Sequence, residues 1–287
     1  MTFDAFVALP TPAKGSREGF PVIVHADDFG ETVEITDGIR MCIEAGVVTS
    51  ASIMANMPAT AYALPVARVL EDRASFGVHL NFCEGRPLTA ARTLIGKDGG
   101  FHAKRALAVR AMMGRLSLRE LETEIVAQLA RVHDAGVRIS HVDGHKHLHQ
   151  LPIISAAVAN ILPRFGIERV RITRLRRLRA LDQPSAFVRE LLAWHGSRVF
   201  GRIRLRSPVR TVDLKAIVED QLLHRHIKAI VDAAGAVELC CHPGTPAADV
   251  GKPGSHRRAA ELDYLLSSGF RELLTVNRAR LVTYWQV

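Results

Sequence analysis

Short β-branched runs recur along this chain, and three of them end in clusters of acid and imidazole. Val22-Ile23-Val24 leads into His25-Ala26-Asp27-Asp28-Phe29-Gly30. Val137-Arg138-Ile139 leads into His141-Val142-Asp143-Gly144-His145-Lys146-His147-Leu148-His149, and Ala236-Val237-Glu238-Leu239 into Cys240-Cys241-His242-Pro243-Gly244. Parallel α/β folds collect their chemistry at the carboxyl ends of strands. Carboxylates beside imidazoles supply both the donors a divalent cation needs and a general acid/base pair. The pattern points to a metal-dependent hydrolase.

Between these clusters, strand and helix patterns alternate. Strands are expected at 22–27, 48–54, 76–82, 137–142, 169–173, 237–241 and 281–285. Helical spacing of apolar residues marks 34–45, 59–70, 117–135, 153–165, 218–234 and 256–266. Ser117 should cap its helix, with Glu120 completing a capping box and Leu118, Leu121, Ile125, Leu129 and Val132 forming the apolar stripe. The long basic, glycine-containing stretch from Gly85 to Arg115 reads as functional or mobile. With candidate residues drawn from at least four strands, an α/β barrel is preferred to an open sheet, whose site would gather at one switch point. The whole chain, 1–287, reads as one domain.

Composition narrows the class. At 48% hydrophobic the chain can bury one substantial core, and no apolar stretch is long enough for a spanning helix or a signal peptide. The four cysteines, at 42, 83, 240 and 241, lack CxxC spacing and read as buried free thiols in a reducing cytoplasm. Cys240 and Cys241, adjacent in a strand, should face opposite ways. Basicity is concentrated. Residues 164–210 hold thirteen arginines, no lysine and only Glu168, Asp182 and Glu190 as acids, which outweighs the net +9 of the entire chain. From Ser185 to Ser207 these arginines alternate with Phe187, Leu191, Trp194, Phe200 and Ile203, a composition shared by interfacial helices and by ordinary helices with a solvated basic face. The readings left open are contact with a membrane surface, grip on a phosphate-bearing or lipid-linked glycan, and a solvated face. Nucleic acid is disfavoured because no reading motif accompanies the charge.

The individual residues carry their own alternatives. Asp27 and Asp28 are neighbours whose side chains should diverge, one free to ligate a cation and the other to contact water, unless they are a turn-forming pair. His79, midway along Gly77-Val78-His79-Leu80-Asn81, could be a satisfied core histidine. In an extended chain His141, Asp143 and His145 share a face, and in a helical one His145 and His149 do. His242, before Pro243-Gly244, should stand at the rim, where it could exchange protons near neutrality.

Together these segments resemble the YdjC-like carbohydrate deacetylase family. The likeness runs through Ala-Asp-Asp-Phe-Gly at 26–30, Val-Thr-Ser-Ala-Ser at 48–52, Gly-Val-His-Leu-Asn at 77–81, Gly-Arg-Pro-Leu at 85–88, the histidine run at 141–149 and Cys-His-Pro-Gly at 241–244. The resemblance implies a distorted (β/α) barrel of about seven parallel strands with its site at the C-terminal rim. It also implies hydrolysis of an N-acetyl group from an amino sugar. By motif, Asp28, His79 and His145 would hold one divalent ion, Asp27 would be the general base and His242 the general acid. His25 stands where the family usually has Asn or Thr, and would add a polar contact near the cation. Asp143-Gly144-His145 differs from the Asn-Ala-His of the hopanoid-associated members. The donor set suits Zn²⁺, Co²⁺, Mn²⁺ or Ni²⁺, and Mg²⁺ if waters complete the sphere. The expected partner is an N-acetylated sugar, free or lipid- or phosphate-linked. The expected location is the cytoplasm, with peripheral contact at the inner membrane face through the arginines. Competing readings are a metal-dependent phosphoesterase and a catalytically silent basic module that binds membrane or nucleic acid.

Overall fold

A computed structural model describes residues 19–173, 184–208, 210–214, 235–249 and 256–287. Its frame is a seven-stranded sheet in which every ladder is parallel. The strands are β1 (Phe20–Phe29), β2 (Ser50–Ile53), β3 (Ser75–Leu80), β4 (Ile139–Gly144), β5 (Arg210–Asp213), β6 (Val237–Cys241) and β7 (Ala279–Leu281). The helices are α1 (Val33–Glu44), α2 (Thr60–Leu70), α3 (Lys104–Met112), α4 (Leu118–Asp134), α5 (Pro152–Ile161), α6 (Pro184–Arg202), α7 (His256–Leu266) and α8 (Ser268–Val276).

The hydrogen-bonded order is β4-β3-β2-β1-β6-β5, with β7 pairing the start of β1. Past β4, two isolated bridges, Val142 to Val170 and Arg169 to Arg206, lead back towards β5. The parallel α/β sheet is as expected, but among the described residues no continuous ladder joins β4 to β5, so its hydrogen-bonded order is that of an open sheet. The strand expected at 169–173 is reduced to these bridges. β1 is central and buried along most of its length, which explains why it reads as a near-continuous apolar run before its polar tip.

The helices follow the expected stripes. Thr32 caps α1 by accepting from the Ile35 amide, and Ile35, Ile39, Cys42 and Ile43 are buried. In α4, Leu121, Ile125, Leu129 and Val132 lie in the core, each worth about 1.5–3 kcal/mol of burial, whereas Leu118 is exposed. Ser117 caps α4 as expected, but the capping box is not made. The Glu120 carboxylate instead accepts from the Thr93 amide and hydroxyl, both at 2.7 Å. One turn on, Glu124 accepts from the Leu88 and Thr89 amides, and one turn further Gln128 bonds both the amide and the carbonyl of Asn81. This ladder along α4 fastens the segment after β3. The stretch expected to be functional or mobile is thus pinned, and it contains α3.

At the C-terminal end, the strand expected at 281–285 stops at Leu281. Thr283 and Gln286 form a capping box that bends the chain into a 3₁₀ turn, and Tyr284 swings into the interior. The helix expected at 218–234 lies outside the described residues.

Candidate active site

The carboxyl end of β1 is bent. Its register against β2 shifts between Ala26 and Phe29, and Asp28 adopts a left-handed backbone with φ of 69°. Aspartate is among the few residues that enter that region at modest cost. The kink sends the two neighbouring carboxylates into different surroundings, as their adjacency predicted.

Asp28 faces two imidazoles. Its Oδ1 lies 3.0 Å from His145 Nδ1 and 3.5 Å from His79 Nε2, and its Oδ2 accepts from Arg258 at 2.7 Å. All three residues are buried, and donor atoms from Asp28, His79 and His145 lie within 4.8 Å of one another. His79 comes from β3, where its Nδ1 bonds Asp143 Oδ1 at 2.8 Å, leaving Nε2 for Asp28. Ser52 donates to the second oxygen of Asp143. A carboxylate behind an imidazole is the arrangement that orients metal-bound histidines. Burial opposes a charge on His145, yet Asp28 and Glu84, the latter 3.2 Å from Nε2, hold its pKa up to about 10. A site that holds an imidazolium this firmly has the negative potential and convergent donors that suit a small divalent cation.

Asp27 turns inward instead. Arg171, fully buried, grips it with two bonds of 2.8 and 2.9 Å. The same guanidinium reaches Asp143 at 2.8 Å and Glu238 at 2.6 Å. His25 Nε2 lies 3.2 Å from Asp27 and its Nδ1 2.9 Å from the Ser50 hydroxyl. Burial alone would push the Asp27 carboxyl up, but Arg171, His79 and His25 hold it well below the usual range. It stays ionised at neutral pH.

Across from Asp27, His242 presents Nε2 at 3.7 Å from Asp27 Oδ2. Its loop is close to α1: a Cβ on Gly38 would come within 2.5 Å of Gly244 Cα, so only glycine permits this approach. The His242 amide donates to Glu261 of α7. Its Nδ1 has two neighbours, Arg257 Nη2 at 3.1 Å and Glu261 Oε2 at 3.8 Å. Arg257 favours the neutral ring and Glu261 the charged one. Burial also opposes the charge, but Glu261 and Asp27 prevail and the His242 pKa is raised.

Taken by sequence, the chain matches the YdjC-like protein family over residues 21–276. It belongs to that family. Its YdjC-like relatives include the carbohydrate deacetylases of Homo sapiens, 32% identical over 80% of this chain and 77% of that protein, and of Vibrio cholerae, 28% identical over 92% and 94%. The carbohydrate deacetylase of Geobacillus stearothermophilus is 37% identical over 56% of this chain. The chain spans 64% of that relative and about half, 49%, of the Danio rerio carbohydrate deacetylase. A crystal structure from Enterococcus faecalis, of a candidate cellobiose-phosphate cleavage protein, superposes with a TM-score of 0.77 over 94% of this chain and 99% of that one. At 20% identity that likeness concerns the fold.

In this YdjC-like chain the five residues expected at the site, Asp27, Asp28, His79, His145 and His242, converge on one rim. The histidine run does not act as one cluster. His141 stacks flat on Tyr284, with ring centroids 3.6 Å apart, and a Cβ on Gly77 would strike its ring. Burial keeps it neutral, as a core residue. After Gly144 the chain neither extends nor forms an α-helix. Lys146 and His147 take left-handed conformations within a 3₁₀ turn, so His147 meets Thr173 and His149 bonds the Arg171 carbonyl at 2.8 Å. His25 contacts Asp27 and Asp143, and so lies behind Asp27 rather than beside Asp28. The cysteines are free and buried, and Cys240 and Cys241 face opposite ways as expected. Cys240 is more than a packing residue, since its Sγ lies 3.4 Å from Asp27.

Sequence reasoning missed Arg171, Glu261, Arg257 and Glu84. Arg171 lies within the basic segment by sequence, although an arginine inside a β-branched strand pattern is a signal that it points inward. The Arg257 and Glu261 pair, at helical i, i+4 spacing, was visible but unremarkable on its own.

Proposed function

We propose that this chain is a metal-dependent hydrolase that removes the N-acetyl group from an N-acetylated amino sugar, giving acetate and a free amine. The observation that carries the reading is the convergence of Asp28, His79 and His145 beside two differently tuned proton carriers, Asp27 and His242. The names of its relatives support the substrate class. Asp28, His79 and His145 would hold the cation, of the Zn²⁺, Co²⁺, Mn²⁺, Ni²⁺ or Mg²⁺ type. Bound there, it supplies electrophilic polarisation of the amide carbonyl.

The protein's own groups do the rest. Asp27, kept ionised and aimed by Arg171, accepts a proton from the attacking water as the new C–O bond forms. His242, charged through Glu261 and facing Asp27, donates its Nε2 proton to the departing nitrogen as the C–N bond breaks. Two titrating groups pushed in opposite directions within one cleft make an acid/base division of labour. The test is acetate release from N-acetylglucosamine oligomers, with metal content measured in parallel. His145→Ala should lose both stoichiometric metal and hydrolysis. One equivalent of metal held at wild-type affinity in that variant refutes the ligand assignment. Phosphate release from a phosphoester, without acetate release, refutes the reaction.

A further inference from the structure

α6 has two dissimilar faces. Its inner face packs on the turn that follows β4: Ala193 and Phe200 are buried, Gly196 lies against Gln150, and Phe200 stacks near His149 with ring centroids 6.5 Å apart. The outer face bears Leu191 and Trp194, 52% and 55% exposed, followed by exposed Arg198 and Arg202 on the same stripe. The Arg198 guanidinium lies over the Trp194 ring, 5.0 Å from its centroid. Beyond the helix the stripe continues through exposed Ile203, Arg204 and Arg206. There a groove of about 420 Å³ opens between Ile203–Arg206 and the segment from Pro163 to Glu168.

Residues 191–206 contain four arginines and no acidic residue. An exposed tryptophan and leucine set among arginines costs solubility if they only meet water. The same set suits a boundary that is negative on the outside and apolar just beneath. No described helix is long and apolar enough to cross a membrane. We infer that the outer face of α6, with the adjoining 203–206 segment, docks on the surface of an anionic lipid bilayer. Leu191 and Trp194 enter the headgroup boundary, and Arg198, Arg202, Arg204 and Arg206 meet lipid phosphates. Because the opposite face of α6 rests on the turn that begins with His145, docking brings the candidate active site close to the bilayer. The surface itself is independent of the reaction proposed above.

The experiment is co-sedimentation of the full chain with vesicles of phosphatidylcholine alone and of phosphatidylcholine with about one third phosphatidylglycerol. Binding should require the anionic lipid and should be lost at high salt, since screening reaches about 3 Å at 1 M. Replacing Arg198, Arg202 and Arg204 together by Gln should weaken binding about a hundredfold, each arginine being worth about tenfold or less near a charged surface. Trp194→Ala should weaken it about tenfold through lost apolar burial. In a Trp285→Phe background, Trp194 fluorescence should shift to the blue on anionic vesicles. All replaced side chains are exposed, and matching thermal unfolding of variants and parent verifies the fold. Absence of binding to anionic vesicles, equal binding by the triple variant, or retention by a DNA duplex but not by vesicles would each overturn the inference.

Discussion

Arg171 and Arg198 belong to the same basic stretch of sequence and live in opposite physical worlds. Arg171 has no exposed surface and three carboxylates around it, Asp27, Asp143 and Glu238. Arg198 is exposed and rests on an aromatic ring. Buried charges survive only in sets, because each ion taken from water costs several kcal/mol that its partners must return. Exposed charges are nearly free to change. The count of arginines in a segment therefore describes neither its stability nor its partners until each side chain is placed inside or outside.

The contrast is broken most severely at the interior. Asp27→Asn keeps the shape of the carboxylate but removes the proposed base that Arg171 holds, so turnover should fall by roughly 10²–10⁴ while metal content persists. Metal loss in Asp27→Asn, with retention in Asp28→Asn, would exchange the roles given to the two residues. Arg171→Leu should lower stability by about 3–5 kcal/mol in urea titrations, because three carboxylates are left facing one another. A change under 1 kcal/mol would show that the interior charges have another counterweight.

Glu261 sharpens the comparison through pH. Burial would raise its pKa, but His242 and Arg257 hold it down to about 2, against 4.5 in an unfolded chain. Its contribution is therefore complete above about pH 4.5 and is lost as pH falls towards about 2. The stability gap between wild type and Glu261→Gln should be widest near neutrality and close across that interval, read by unfolding at stepped pH. A gap that stays constant would mean the carboxylate is not stabilised by its charge. At the surface, Arg198→Gln should alter stability by no more than about 0.5 kcal/mol. A larger loss would mean that this arginine, too, is structurally committed.

How much was legible follows from what alternation can and cannot encode. Period-two and period-3.6 patterns placed β1 to β4, β6 and α1, α2, α4, α5 and α7 close to where they lie, because those elements bury continuous stripes. β5, with four residues and one buried, offered no stripe. α3 buries only Leu107 and was hidden in a basic, glycine-containing stretch. The ends of the chain's 141–149 run were unreadable for a different reason. Left-handed Lys146 and His147 are fixed by tertiary contacts with Glu84 and Thr173, which local propensity does not contain. The five candidate site residues were recognisable because a resemblance by motif gathered them. Their tuning was not, because Arg171, Glu261 and Glu84 act through space from segments with no motif of their own.

β1 pairs with β2 directly after it in the chain, but its other edge pairs with β6, more than two hundred residues later. On a ribosome making about 5–20 residues per second, that edge waits roughly 10–40 s for a partner. An unpaired apolar strand edge is a template for association with other chains. The innermost strand of the finished molecule is thus the one whose pairing finishes last, and the slow, vulnerable interval of this protein's life is its synthesis.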